Sequence, residues 1–248
     1  LSYVVGSGGE AAVIDPRRDC EIYVELASGH GCRITHIFET HRNEDLLSGA
    51  AILARQTGAP VHHGPNPAGP VQYAETAREG DEFSLGQIRL RVLETPGHTD
   101  DSLSFVLFDG DTSTDDAVAV FTGDALFVGD VGRTDFYPDR AREVAGLLFD
   151  SLRKIIAVGD QAAVYPAHGA GSLCGRAMGA KRTTTVGYEK KYNAALQIAD
   201  KNKFVASLTT HMPPAPDHFS RCSDINAQGP RPVDRLGPLA ALRPEEFR

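Results

Sequence analysis

The sequence predicts a mixed α/β (α+β) fold, on two observations. Short runs rich in Val, Ile and Leu recur between Gly and Pro, as strands do, and amphipathic stretches with helical spacing fall between them. Run 11–14 (AAVI) ends on Asp15-Pro16, and run 33–38 (RITHIF) leads into ETHRNED. Stretch 44–57 puts Leu46, Leu47, Ala50, Ala51, Leu53 and Ala54 on one stripe, with Gly58 and Pro60 as a stop signal. Asn43 stands just before it, where an Asn N-cap stabilises a helix by about 1 kcal/mol. Run 87–94 (QIRLRVLE) leads into TPGHTDD, and 117–121 (AVAVF) into TGDALF. Residues 141–157 resume helical spacing, with Val144, Leu147, Leu148, Leu152, Ile155 and Ile156 as the buried face. Run 162–165 (AAVY) leads into PAHGAGS, and 183–200 is a third helical stretch carrying Tyr188, Tyr192, Leu196 and Ile198. From about 211 the chain turns Pro- and Gly-rich, which predicts an extended tail or linker. The expected division is therefore one domain over 1–210 and a tail over 211–248.

Bulk properties narrow the function. Of 248 residues, 41% are apolar, enough for a sizeable core, and the net charge of −8 argues against nucleic acid or an anionic membrane as partner. No apolar run reaches the roughly 18 residues that span a bilayer. Cys20, Cys32, Cys174 and Cys222 form no CxxC pair, so reduced thiols and a cytoplasmic location are the default expectation. The chain opens on Leu1, which reads as part of a longer product with any targeting peptide outside it.

Loops at strand ends are where a rigid scaffold presents chemistry. Here they carry His41, Asn43, Asp45, His98, Asp124 and His168, whereas His30, His36, His62, His63, His211 and His218 read as structural or solvated. The motifs THRNED, TPGHTDDS, FTGDALF and YPAHG resemble the metal-binding motifs of the metallo-β-lactamase superfamily, in its persulfide dioxygenase and glyoxalase II branch. FTGDALFVGDVGRTDF is especially similar to the persulfide dioxygenases, and the likeness runs from about Ile14 to His168. It implies an αββα sandwich with a metal at one edge of its two sheets.

The superfamily pattern is T-H-x-H-x-D-H, but residues 40–46 read Thr-His-Arg-Asn-Glu-Asp-Leu. Asn43 and Leu46 replace two imidazoles that a binuclear site would need, and neither residue substitutes well for one. The resemblance leaves His41, His98 and Asp124 as ligands of one metal, the facial triad suited to Fe(II) and O₂, with Zn as the alternative. Asp45 and His168 are then expected to orient waters or ligands around it.

Arg133 matches a thiol-contacting arginine of glutathione-dependent relatives, and the alternative is a structural salt bridge with Asp135 or Asp139. Asn43 is a candidate for the pocket wall as well as for the cap. Cys174, in HGAGSLCG, is a candidate persulfide carrier if its thiol is exposed and acidified, or else a small buried hydrophobe. HGAGSLCG, TVGYEK, INAQGP and the closing LRPEEF resemble the branch fused to a rhodanese domain. The expected reaction is oxidation of a low-molecular-weight persulfide by O₂ to sulfite and thiol. A mononuclear zinc thioester hydrolase and a metal-poor binding module are the alternatives. A homodimer is the open question of assembly.

Overall fold

A computed structural model describes residues 1–210 and 215–233, and alternation of side chains along its strands explains its layers. In the strand Glu10–Ile14, Ala11 and Val13 face one way and Ala12 and Ile14 the other, and all four are buried. A strand buried on both faces must have something packed on each.

This strand is β2 of a first sheet made of β1 (Tyr3–Ser7), β2, β3 (Arg33–Phe38), β4 (Val61–His63) and β5 (Glu75–Thr76), in that order. The second sheet runs β11-β10-β9-β8-β7-β6, from β6 (Glu82–Leu85), β7 (Ile88–Glu94), β8 (Leu103–Asp109), β9 (Ser113–Gly123), β10 (Ala163–Pro166) and β11 (Thr184–Thr185). Ala12, Ile14 and Phe38 of the first sheet meet Leu90, Val92, Phe105 and Phe121 of the second in the central core. Outside the first sheet, Ala11, Val13 and Ile37 pack on α1 (Glu21–Gly29) and α2 (Ala50–Thr57). Outside the second, Val106, Phe108 and Val120 pack on α3 (Ala141–Ile156) and α5 (Lys201–Thr209). Helix, sheet, sheet, helix is the αββα order expected from the resemblance.

β3 is parallel to β2, and β10 to β9, so the loops that follow all four strands gather at one edge of the sandwich. The loop after β7 joins them there, because the backbone of Leu103 bonds to Thr40.

Three expectations change. The helix expected over 44–57 begins only at Ala50, with Gly49 as its N-cap residue, so Asn43 caps nothing. The backbone of residues 48 and 49 is taken elsewhere: Ser48 N–H donates to Asn226 and Gly49 N–H to Pro16. Gly58 does end the helix, at φ 75°, a left-handed conformation suited to Gly. The stretch 183–200 splits into β11, α4 (Val186–Tyr192) and a turn before α5, which starts at an Asp200 cap bonded to Lys203 N–H. Finally, residues 219–228 of the expected extended tail form a helix, α6 (Phe219–Gln228). The segment 242–247, read as resembling a rhodanese opening, lies outside the described residues.

Candidate metal centre

The loop after β3 starts with a chain of hydrogen bonds that fixes one imidazole. Asp15 accepts from Thr40 N–H at 2.7 Å and from Thr40 Oγ1 at 2.8 Å. The Thr40 oxygen is thus free to accept from His41 Nδ1, 2.9 Å away. That leaves His41 Nε2 as the lone-pair nitrogen. The same device acts on His98, whose Nδ1 donates to the Arg133 carbonyl at 2.9 Å. An imidazole held through one nitrogen with the other turned inward is how metal-ligating histidines are oriented.

The two free nitrogens converge on two carboxylates. His98 Nε2 lies 3.2 Å from Asp124 Oδ2 and 2.7 Å from Glu44 Oε1. His41 Nε2 lies 3.8 Å from Asp124 Oδ2 and 3.7 Å from Glu44 Oε2. All four residues are buried, and one donor atom from each falls within 4.8 Å of the others. His41 Nε2 and Glu44 Oε2 have no hydrogen-bond partner there. Buried polar atoms without partners carry a large free-energy cost, and a cation at the convergence point removes it. The donor set therefore fits a divalent metal.

Glu44 is the residue sequence reasoning missed. It sits inside THRNED, at a position the superfamily pattern leaves open, so the motif gave no reason to weigh it. The signal was a carboxylate three residues after a ligand histidine in a strand-end loop.

A second group adjoins the first. His168 Nδ1 is 2.7 Å from Asp124 Oδ1, and its Nε2 is 2.8 Å from Asp45 Oδ2. Burial would press His168 toward neutrality, but Asp124 and Asp45 outweigh it and lift it to about 10. For the same reason in reverse, Asp124 is held well below the carboxylate range by His168 and His98 despite its burial. Cys174 Sγ lies 3.7 Å from Glu44 Oε1 and 3.8 Å from Asp45 Oδ2. The thiol is fully buried, and burial together with Asp124, Glu44 and Asp45 pushes it up. It is not the exposed, acidified thiol that a persulfide carrier requires.

The raised His168 gives a pH signature for the metal-stripped chain. Its contribution to stability is complete below the ordinary imidazole value of 6.5 and is lost as pH rises through about 10. The gap in melting temperature between wild type and His168→Gln should therefore be wide at neutral pH and close above about 10. Melting curves that stay equally far apart into strong alkali would contradict the assignment.

Two expected substrate contacts lie elsewhere. Arg133 is 1% exposed and forms two 2.7 Å bonds to Asp135, with a further bond to the Leu173 carbonyl. It has the structural salt bridge rather than a free fork. Asn43 is buried, its amide near the His41 carbonyl, and it is not part of the cavity wall. That cavity, about 440 Å³, opens beside Glu44 and is lined by Arg42, Phe136, Tyr137, Phe219 and Asp224 among others. Phe136 packs edge-on to His98 with ring centroids 5.0 Å apart and meets Phe219 of α6.

α6 also fastens the ligand loop. Asn226, buried, accepts from Ser48 N–H at 2.9 Å and donates to the carbonyls of Asn43 and Leu46 at 2.7 and 2.8 Å. These bonds straddle Glu44 and Asp45. Of the other histidines, His36 and His62 stack with Phe38, and Phe83 meets His36 edge-on and His62 at a tilt.

Two sheets between helical layers, with a histidine–carboxylate centre at the strand ends, define a class of metalloproteins. Residues 1–168 match the model of the metallo-beta-lactamase superfamily, and the chain belongs to that superfamily. Among solved structures it is similar to a metallo-beta-lactamase from Staphylococcus aureus subsp. aureus COL, at 33% identity and a TM-score of 0.89, covering 98% of this chain and 73% of that one. It is also similar to ETHE1 from Myxococcus xanthus, at 30% identity and a TM-score of 0.76, covering 91% of this chain and 92% of that one. A hydroxyacylglutathione hydrolase from Rhodospirillum rubrum is 33% identical over 161 residues, 64% of this chain and 57% of that one. The chain spans about half the length of the curated relatives it matches, 50% for an uncharacterized protein of Mycobacterium bovis. Among the described residues no helix is long and apolar enough to cross a membrane.

Proposed function

We propose that the chain is a non-haem iron persulfide dioxygenase. The observation that carries this reading is the buried His41–His98–Asp124 set, retained where Asn43 and Leu46 have removed the imidazoles of a two-metal hydrolase. The likeness to ETHE1 over nearly the whole of both chains supports it. A ferrous ion held by these three residues and Glu44 would supply the coupling of a persulfide's outer sulfur with O₂. The overall balance is R–S–SH + O₂ + H₂O giving R–SH and H₂SO₃.

The chain's own residues then have definable tasks. Phe136 and Phe219 form an apolar wall beside His98 that restricts water around a reactive sulfur. Arg42 lines the same cavity and has no hydrogen bond or ion pair with any described residue, so its guanidinium is available for an anionic group of the thiol carrier. His168 holds the Asp124 carboxylate through Nδ1 and is itself held by Asp45 through Nε2, and this pair can pass a proton to water. The likeness of the tail motifs to rhodanese-fused chains supports a sulfurtransferase domain as partner.

Anaerobic purification, metal analysis and O₂ uptake with glutathione persulfide and coenzyme A persulfide test the reading. Iron near one per chain with persulfide-dependent O₂ uptake and sulfite release is expected. Zinc with hydrolysis of S-lactoylglutathione and no O₂ uptake would refute it in favour of the hydrolase, a reading that the hydroxyacylglutathione hydrolase relatives keep in play.

A further inference from the structure

The cavity beside Glu44 carries charges that the proposed reaction leaves unassigned. At about 440 Å³ it is near the small end of the roughly 300–1,000 Å³ usual for ligand cavities. Phe136, Tyr137, Pro138 and Phe219 form its apolar wall. Arg42 also lines it, together with the acids Glu44, Asp101, Asp135, Asp217 and Asp224. Three of these acids are engaged within the chain. Glu44 belongs to the metal centre, Asp101 accepts from Thr99 Oγ1 at 2.7 Å and from Asn66 Nδ2 at 2.6 Å, and Asp135 takes the Arg133 fork. Arg42, Asp217 and Asp224 have no hydrogen bond or ion pair with any described residue. A cation and two anions thus border one small cavity without pairing with one another.

The fold of α6 sets this arrangement. Ser220, Ser223 and Asp224 stand at i, i+3 and i+4, so they share one face of the helix, and all three line the cavity. Phe219 and Asn226 are the buried residues of the same helix and seat it on the fold. Asn226 donates to the carbonyl of Asn43 at 2.7 Å, next in the chain to Arg42. One hydrogen bond therefore ties the element that bears Asp224 to the loop that bears Arg42. Unpaired charges of opposite sign, fixed on two walls of a cavity, suit a ligand that carries both charges itself.

We propose that Arg42 receives a carboxylate of the thiol carrier while Asp217 and Asp224 receive its ammonium. The carrier is then a thiol of amino-acid type, cysteine or a small cysteine peptide, with its sulfur directed toward Glu44 and the metal centre. A guanidinium fork matches a carboxylate, and an ammonium with three donors matches two carboxylates. A phosphorylated carrier such as coenzyme A fits badly, because several phosphate charges would meet two free acids with a single arginine to offset them. This inference rests on the reading above only in taking a thiol derivative as the ligand. It holds for a persulfide or a thioester alike, and binding tests it without turnover.

Calorimetric titration of the metal-loaded chain, without O₂, uses four thiols: L-cysteine, 3-mercaptopropionate (no ammonium), cysteamine (no carboxylate) and coenzyme A. All four carry the same thiol, so its contact with the metal cancels in ratios of affinity. L-cysteine should bind at least about tenfold more tightly than each of the others, the scale of one charge-assisted hydrogen bond. Asp217→Asn combined with Asp224→Asn should erase the advantage of L-cysteine over 3-mercaptopropionate and keep its advantage over cysteamine. Arg42→Gln should do the reverse. Metal content and circular dichroism check that each variant keeps its centre and fold. Coenzyme A binding as tightly as L-cysteine overturns the proposal. So does a wild type that binds none of the thiols, or variants that weaken all four equally or not at all. The expected binding pattern without persulfide-dependent O₂ uptake would sink the dioxygenase reading and leave the carrier assignment standing.

Discussion

His41→Ala should purify with no metal at the His41–Glu44–His98–Asp124 centre and no turnover, while Glu44→Gln should keep the fold but hold its metal more than 100-fold more weakly. The size of the second effect separates two roles for Glu44. A residue that merely orients a ligand histidine costs about 10–100-fold in affinity when removed. A direct ligand costs more, and Glu44 shares the convergence point with His41, His98 and Asp124 rather than standing behind them. Competition with a metal-binding dye, wild type against variant, gives the ratio. A loss under tenfold would return Glu44 to the cavity wall, and unchanged metal in His41→Ala would mean that the ligand set is wrong.

Asn226→Ala should lower stability by about 3 kcal/mol, three hydrogen bonds at about 1 kcal/mol each, and more if the stranded partners stay dry. For a chain of this size that is a fall of roughly 6–12 °C in melting temperature. Metal affinity should drop as well, since the bonds hold the loop on either side of Glu44. Asn226→Asp keeps the acceptor for Ser48 but turns an anion toward two carbonyls, so it should fare no better than Ala. A melting temperature equal to wild type in both variants, with unaltered metal binding, would show that α6 is not what holds the loop.

The parts legible in the sequence are those set by local rules. α3 follows its 3.6-residue stripe, and β2 and β3 their Val- and Ile-rich runs, because each is buried by its own periodicity. His41, His98 and Asp124 stood among six candidates at strand ends, and the resemblance to the superfamily's metal-binding motifs singled them out as ligands. What escaped was set by partners distant in sequence. The helix after THRNED starts late because Ser48 and Gly49 bond to Asn226 and Pro16, which no window of residues 44–57 contains. α6 was hidden by the Pro and Gly on either side of it, which read as extended chain. Cys174 could be flagged by its position, but its burial against Glu44 and Asp45 depends on how two separate loops fold together.

The Asn226 clasp also imposes an order on synthesis. Asn43 leaves the ribosome 183 residues before the side chain that fastens it. At about 5–20 residues per second, that interval is roughly 10–40 s. Once Asp124 has been added the chain carries His41, Glu44, His98 and Asp124, yet the loop bearing Glu44 still has no anchor until Asn226 follows. Firm metal capture is therefore expected to wait for α6 rather than for the ligands themselves.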